Sequence, residues 1–255
     1  MAVLDVRHLK KIYTTRFGGN RVQALADVSF TVEEGEFVAI MGPSGSGKST
    51  MMLNILAALD RPTSGSVFLK GTDLNSIPEH KMAEFRRGHL GFVFQDFNLL
   101  DTFTVKDNIF LPLVLSKLPY EEMERRLVPL SAKLRLSELL NKFPYEISGG
   151  QKQRTAAARA LITNPGILLA DEPTGALDSK AADGLLRMFG EINREGQTIL
   201  MVTHSVRAAS HAGRVLFIKD GEVFHQLYRG KKTNDELYQN IADTLTMITT
   251  GGDRA

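Results

Sequence analysis

Residues 42–50 read GPSGSGKST. Gly42, Gly47, Lys48 and Ser49 fit G-x-x-x-x-G-K-[ST], between the apolar run FVAIM at 37–41 and a helical pattern, STMMLNILAAL. Each residue type has a chemical reason. Glycines let successive backbone N–H groups converge on phosphate oxygens, and the following helix adds the positive end of its dipole. The Lys48 ammonium supplies a cation to β- and γ-phosphates, and the Ser49 hydroxyl a ligand to Mg²⁺. The loop formed by Gly42, Pro43, Ser44, Gly45, Ser46, Gly47, Lys48, Ser49 and Thr50 is therefore expected to hold ATP. A ligand-free glycine turn would leave Lys-Ser at the helix start unexplained.

A magnesium nucleotide also needs an acid at the end of a neighbouring strand. ILLADE at 167–172 supplies Asp171, followed at once by Glu172. Adjacent carboxylates beside a phosphate are costly unless a cation separates their roles, which suggests one for Mg²⁺ and one for water; a pair of acids capping a strand end is the alternative. His204 closes TILMVTH at the carboxyl end of another predicted parallel strand, where ligand sites on open α/β sheets collect, and is expected near the γ-phosphate. His8, His80, His89, His211 and His225 have no such setting. A second glycine loop, SGGQKQR at 148–154, opens the helical run QKQRTAAARALI. Ser148, Gly149 and Gly150 offer a hydroxyl and N–H groups at a helix N-terminus, an anion site without a lysine. Read alone, an ordinary serine cap accounts for that loop better.

The elements that must position these residues are legible in outline. Val3 to Tyr13 alternates as a strand does, FGGN at 17–20 is a turn, and Val28, Phe30 and Val32 share one face of a second strand. FVAIM and ILLAD are short continuous apolar runs, as strands buried on both faces require, and TILMV and VLFIK repeat the pattern. GFVFQ at 91–95 is a further strand, and Pro78 to Arg87 a helix with proline near its start. From Thr104 to about Leu140 the pattern is helical, and Pro112, Pro119 and Pro129 are each expected to end or kink a helix. The tail places Leu237, Ile241, Leu245 and Ile248 on one apolar stripe, read as packing against its own domain.

Composition narrows the setting. The 255 residues contain no cysteine, which excludes disulfides, a thiol nucleophile and thiolate metal sites. Lys plus Arg (31) nearly balance Asp plus Glu (29), so there is no global basic field for nucleic acid. The runs KMAEFRR and ERR mix signs and hydrophobes as solvated helix faces do, and no nucleic-acid partner is expected. The N-terminus lacks a signal peptide's apolar core and no stretch approaches the ~20 apolar residues of a spanning helix, so a soluble cytosolic chain is expected.

Together these residues resemble the nucleotide-binding subunits of ABC transporters over almost the whole chain. GPSGSGKST resembles their Walker A loop, Gln95 in GFVFQD their Q-loop glutamine and ISGGQ (Ile147 to Gln151) their signature. ILLADE looks like Walker B, ALD ending at Asp178 like the D-loop, His204 like the switch histidine, and Tyr13 like the aromatic residue that stacks on adenine. The resemblance implies a P-loop ABC ATPase fold of the α/β class, with a mostly parallel sheet core, an N-terminal antiparallel β lobe and an inserted helical lobe. Residues 1–95 and 161–230 would form the nucleotide-binding core, 96–160 the helical lobe, and 231–255 a C-terminal helix and tail. It further implies a head-to-tail, ATP-dependent dimer in which Ser148, Gly149, Gly150 and Gln151 of one copy close over the ATP of the other. Glu172 would polarise water and His204 hold the γ-phosphate. Asp171 and Ser49 would hold Mg²⁺, and Gln95, with Glu172 and His204 among the catalytic residues, would reach the metal and the water when the dimer closes.

Within that family, HLGFVFQDFNLLDTFTVKDNIFLPL, DEPTGALDSKAA and FIKDGEVFHQLYRG look most like the ATPases of bacterial antimicrobial-peptide exporters of the bacitracin type. Lipoprotein-release and macrolide-export ATPases share much of the pattern. The implied partner is a membrane permease at the cytoplasmic face, with a sensor kinase as a candidate further partner through it. A cell-division-like ATPase that signals without transport stays open. DNA-repair and translation ATPases of this superfamily usually carry long coiled coils or two ATPase units, which this sequence lacks. Phe97, Leu99, Leu100 and Phe103 crowd the segment QDFNLLDTFTV, apolar for a loop, and mark it as the permease contact; burial against the chain's own helices is the alternative. Two features depart from the family pattern. Ile147 stands where leucine is usual, and the helix after Walker A looks one residue longer, which on a continuous helix turns later side chains by ~100°.

Overall fold

The computed structural model describes residues 2–14, 21–42 and 53–250. The chain forms two compact units, Met1–Ile77 with Thr198–Ala255, and Pro78–Gln197.

In the first unit the strands are β1 (Ala2–Thr14), β2 (Arg21–Glu33), β3 (Phe37–Met41), β4 (Ser64–Leu69), β5 (Thr72–Asp73), β8 (Ile199–Val202), β9 (Arg214–Lys219) and β10 (Glu222–Tyr228). They lie in the order β5-β4-β1-β2-β10-β9-β3-β8. β1, β2, β4 and β5 pair antiparallel, whereas β3 runs parallel to both β8 and β9. All five residues of β3 and all four of β8 are buried, which explains why they read as unbroken apolar runs. The alternation of β1 is interrupted at His8, at one of four register shifts against β2. His8 takes φ 48° and the register with β2 shifts between Val6 and Leu9, so both of those residues face inward with two others between them. This bulge is held by the His8 N–H, which donates to Ser29 Oγ at 2.8 Å.

The helical residues that follow the glycine loop are described from 53, and they stop at 56. The Leu59 N–H donates to the Asn54 carbonyl (2.9 Å) and the Ala58 N–H to that of Ile55 (2.9 Å), while Ala58 sits at φ 52°. This is a Schellman ending with alanine in the left-handed position where glycine is usual. The helix expected through residue 59 is thus corrected to end at Leu56; the residues before Leu53, on which the extra-residue expectation turns, lie outside the described residues. The turn at 17–20 lies outside the described residues.

Two helices complete this unit, the short α6 (Val206–Ala209) and the C-terminal α7 (Asn234–Thr249). Thr233 and Glu236 cap α7 reciprocally, and its buried Leu237, Ile241 and Ile248 face its own unit, with α7 packed on α6. Arg229 ties the approach to α7 down, donating to the carbonyls of Ala212 (2.9 Å) and Ser210 and to Asn234 Oδ1 (2.6 Å).

The second unit contains β6 (Leu90–Val93) and β7 (Ile167–Asp171), which pair in parallel, Leu90 beside Ile167 and Val93 beside Ala170. Its helices are α1 (Glu79–His89), α2 (Val105–Leu115), α3 (Tyr120–Lys133), α4 (Gly149–Leu161) and α5 (Ser179–Arg194). α4 packs on β6, α2 and α5. Pro119 is the N-cap of α3, but Pro112 and Pro129 lie inside helices that continue past them. A proline inside a helix costs about 3 kcal/mol. In α2 the reciprocal Thr104–Asp107 cap and the burial of Val105, Ile109, Phe110 and Leu113, roughly 1.5–3 kcal/mol for each large side chain, outweigh it. Among the described residues no helix is long and apolar enough to cross a membrane.

Candidate functional site

The first unit carries the start of the glycine loop, His204 and Tyr13. β3 delivers Gly42 directly, whereas Pro43, Ser44, Gly45, Ser46, Gly47, Lys48, Ser49 and Thr50 lie outside the described residues. His204 follows β8 after Thr203, is exposed, and its Nδ1 lies 3.2 Å from the Gly42 carbonyl. An Nδ1–H donor there fixes the ring beside the first residue of the loop.

Tyr13, near the end of β1, is anchored at its far end. Its hydroxyl donates to Asp60 Oδ2 at 2.7 Å, and the Lys11 ammonium donates to Asp60 Oδ1 at 2.7 Å while lying 4.8 Å from the Tyr13 ring centroid. Burial first, then the bond to the Asp60 carboxylate, pushes the phenol up to about 12. Burial opposes ionisation of Asp60, but Lys11, Tyr13 and the Arg61 N–H together hold its carboxyl below the usual range. The result is an aromatic plane whose orientation is set before any base arrives. Base–aromatic stacking is worth about 1–3 kcal/mol, so Tyr13→Ala is expected to raise the Kd for ATP roughly tenfold, and Tyr13→Phe far less. Calorimetric titration checks this, and an unchanged Kd for Tyr13→Ala removes the ring from adenine binding.

The second unit brings together the other motifs. α4 opens with the glycine loop, and Ser148 is its cap: Ser148 Oγ accepts from the Gln151 N–H (3.3 Å), and Gln151 Oε1 accepts from the Ser148 N–H (2.8 Å). The cap reading of the second loop is thus realised. It uses the hydroxyl only as an acceptor, so its own proton still can be donated to an anion. The two glycines differ. A methyl at Gly150 would stand 2.9 Å from the Ala181 Cβ, so the close approach of α4 to α5 requires glycine. A methyl at Gly149 would meet only Leu177 Cδ2 at 3.7 Å and Phe97 Cζ at 3.8 Å, ordinary contacts. Within the described chain nothing demands a glycine at 149.

Asp171 ends β7 and is half-buried, as is Glu172 after it. Glu172 holds φ 43°, a left-handed conformation that costs a non-glycine residue about 1–2 kcal/mol, with its carbonyl accepting from the Gly175 N–H at 2.9 Å. Strain of this kind collects at functional sites because surrounding structure must impose it. Gln95, two residues beyond β6, is exposed and lies against the same turn: a Cβ on Gly175 would stand 2.9 Å from Gln95 Cδ. Asp178 caps α5, accepting from the Ala181 N–H at 2.9 Å. Gln95, the 172–178 turn and the N-terminus of α4 therefore converge within one unit.

Three residues that motif reading passed over hold this arrangement. Arg159 on α4 donates to the carbonyls of Asn98 (2.6 Å) and Phe97 (3.0 Å), and burial lowers its guanidinium from the ordinary value. Phe97 and Asn98 are consecutive left-handed residues, φ 61° and 49°, which those bonds stabilise. Asn108, fully buried on α2, accepts from the Leu100 N–H (2.8 Å) and donates to the Leu100 and Phe103 carbonyls (3.0 and 3.1 Å). The segment after Gln95 is a pinned loop. It presents Leu100 and Phe103, 43% and 37% exposed, while Phe97 and Leu99 are half-buried. The third residue, Gln153, is buried on α4. The sequence signal for Gln153 and Arg159 was a polar side chain set among small ones in QRTAAARA; Asn108 gave none.

A family model described as ABC transporter matches residues 25–175. The chain is 50% identical over 247 residues to the ABC transporter ATP-binding protein YxdL of Bacillus subtilis, covering 96% of this chain and 94% of that one. It is 45% identical over 245 residues to the bacitracin export ATP-binding protein BceA of Halalkalibacterium halodurans, 96% of each. Among solved structures, the dimeric post-hydrolysis state of the ATP-binding cassette MJ0796 bound to ADP and Pi has a TM-score of 0.78 at 40% identity, covering 88% of this chain and 98% of that chain.

Proposed function

The chain belongs to the ABC transporter family, and from that premise we propose that it powers a bacterial exporter protecting against antimicrobial peptides of the bacitracin type. It is an ATP-binding, ATP-hydrolysing cassette with the ABC ATPase fold. The observation that carries the substrate class is the likeness to a bacitracin export ATPase along 96% of both chains.

In this reading Lys48 and the N–H groups of the 42–50 loop hold the phosphates, Tyr13 the adenine, and Glu172 and His204 the attacking water and γ-phosphate. Asp171, Ser49 and Gln95 hold Mg²⁺. Among the described residues no three His, Cys, Asp or Glu side chains group to bind a metal unaided, and a hard cation arriving with phosphates needs only one or two protein oxygens, which a strand-end aspartate fits. When bound, that ion neutralises charge developing on the phosphates. Ser148, Gly149, Gly150 and Gln151 close over a second copy's nucleotide, with Asp178 at the same interface. Residues 1–95 and 161–230 act as the nucleotide-binding core, 96–160 as the signature lobe and 231–255 as a tail.

The proposed partner is a separate permease at the cytoplasmic face of the membrane, with a sensor kinase beyond it. Leu100 and Phe103 are its docking residues, because the bonds from Arg159 and Asn108 fix the loop that displays them. Central apolar anchors contribute about 2 kcal/mol or more each to an interface. Leu100→Glu with Phe103→Glu is accordingly expected to leave the purified subunit folded and ATP-binding, but to abolish co-purification with the permease and protection of cells against bacitracin. A double variant that assembles and protects normally places the contact elsewhere. A strain lacking the chain yet unchanged in bacitracin sensitivity rejects the substrate class.

A further inference from the structure

Gln153 is fully buried, yet nothing in phosphate chemistry assigns it a role. It sits on α4 four residues after Gly149, one turn along on the same face. Its Nε2 donates to the carbonyl of Phe94 at 3.0 Å and to that of Pro173 at 2.7 Å. Both partners are acceptors only, which fixes which end of the amide is nitrogen. Phe94 immediately precedes Gln95, and Pro173 immediately follows Glu172. One side-chain nitrogen thus holds the peptide plane entering Gln95 and the carbonyl of the residue that follows Glu172.

We propose that Gln153 is a positioning residue that links closure at the Ser148–Gly150 loop to the placement of Gln95 and Glu172 in the same chain. This rests on the roles proposed above for those two residues. A packing role does not explain an amide here. Its Oε1 is buried with no hydrogen-bond partner, a penalty that methionine of similar length would avoid. What the amide adds is two directed bonds to carbonyls, one of them beside a residue at φ 43° that must be held from outside. Pro173 has no N–H, so its carbonyl is the one hydrogen-bonding group it offers. α4 is a single helix from the capped Ser148 to Gln153, so a pull at its N-terminus reaches both carbonyls through rigid structure. Nucleotide captured by the signature of a chain then sets hydrolysis in the site to which that chain contributes Gln95 and Glu172, and the two sites of a dimer act cooperatively.

The test uses the full chain with Gln153→Met, which keeps length and loses both donors, and Gln153→Asn, which keeps an amide too short to reach both carbonyls. Both are expected to lower kcat for ATP hydrolysis about tenfold or more, the range of a lost positioning contact. The Kd for ATP should stay within about twofold, and the Hill coefficient should fall toward one. A folded variant with wild-type kcat and cooperativity overturns the proposal. Should neither variant fold, hydrogen exchange on the unaltered chain decides. A non-hydrolysable ATP analogue must slow exchange in α4, residues 92–98 and residues 171–176 in concert, and slowing in α4 alone overturns the link. Glu172→Gln run alongside separates the two readings. If it hydrolyses ATP normally, the role of Glu172 fails; if it is inactive while Gln153→Asn is normal, only the role of Gln153 fails.

Discussion

Glu172→Gln is expected to lower steady-state ATP turnover at least a hundredfold while leaving ATP affinity nearly unchanged. Loss of a positioned general base removes about 10²–10⁴ in rate, and the amide preserves the shape of the side chain while losing the charge that orients and deprotonates water. The backbone gives no second reason for a loss. Glu172 already pays for φ 43° and glutamine meets the same penalty, while the bond from the Gly175 N–H goes to the Glu172 carbonyl, which glutamine keeps. In the proposed head-to-tail dimer, where hydrolysis reopens the closed state, the variant should accumulate as an ATP-bound dimer, visible by size-exclusion chromatography with ATP and absent without it. Phosphate release measured at saturating ATP decides the matter. Turnover within about fivefold of wild type would take water activation away from Glu172, since a base contributes far more than that.

The parts of this site that were legible in sequence are those where chemistry restricts residue type at fixed spacing. Strands buried on both faces must be apolar throughout, so β3, β7 and β8 were legible as unbroken apolar runs, and β3 leads into Gly42, the first residue of the expected phosphate loop. The hidden parts are those where a long-range contact overrides a local rule. Pro112 and Pro129 signal a helix end or kink, but tertiary burial of α2 and α3 carries both helices past them. Ala58 terminates a helix from a left-handed position that sequence patterns reserve for glycine, and His8 bends β1 in the same unfavoured region. Gln153 and Arg159 act through backbone carbonyls distant in sequence, and Asn108 through the backbone of the loop just before its helix. A carbonyl is present in every residue, so no pattern of side-chain types can reveal that it is being held.

Mixing two individually inactive chains should restore hydrolysis. Lys48→Ala deletes the phosphate cation, and Ser148→Arg fills the mouth of the α4 loop with a bulky charge. Each homodimer then carries a defect in both sites. In a head-to-tail heterodimer one site collects both defects and the other collects none. An equal mixture that exchanges freely places about half the molecules in heterodimers with one intact site, so about a quarter of wild-type activity is the ceiling, reached if the sites fire independently, and the coupling proposed for Gln153 lowers the rescue below it without abolishing it. If the two loops served one nucleotide within a chain, every site would carry a defect and nothing would be restored. Local geometry favours the first outcome. Ser148 is exposed and keeps a hydroxyl proton after capping α4, and its own chain leaves ordinary room for a methyl at Gly149. Glycine at that position therefore answers to something approaching from outside the described chain, as a second copy's nucleotide would. Differently tagged subunits purified in sequence verify that heterodimers form. Heterodimers with no more activity than either parent would exclude independent sites completed in trans.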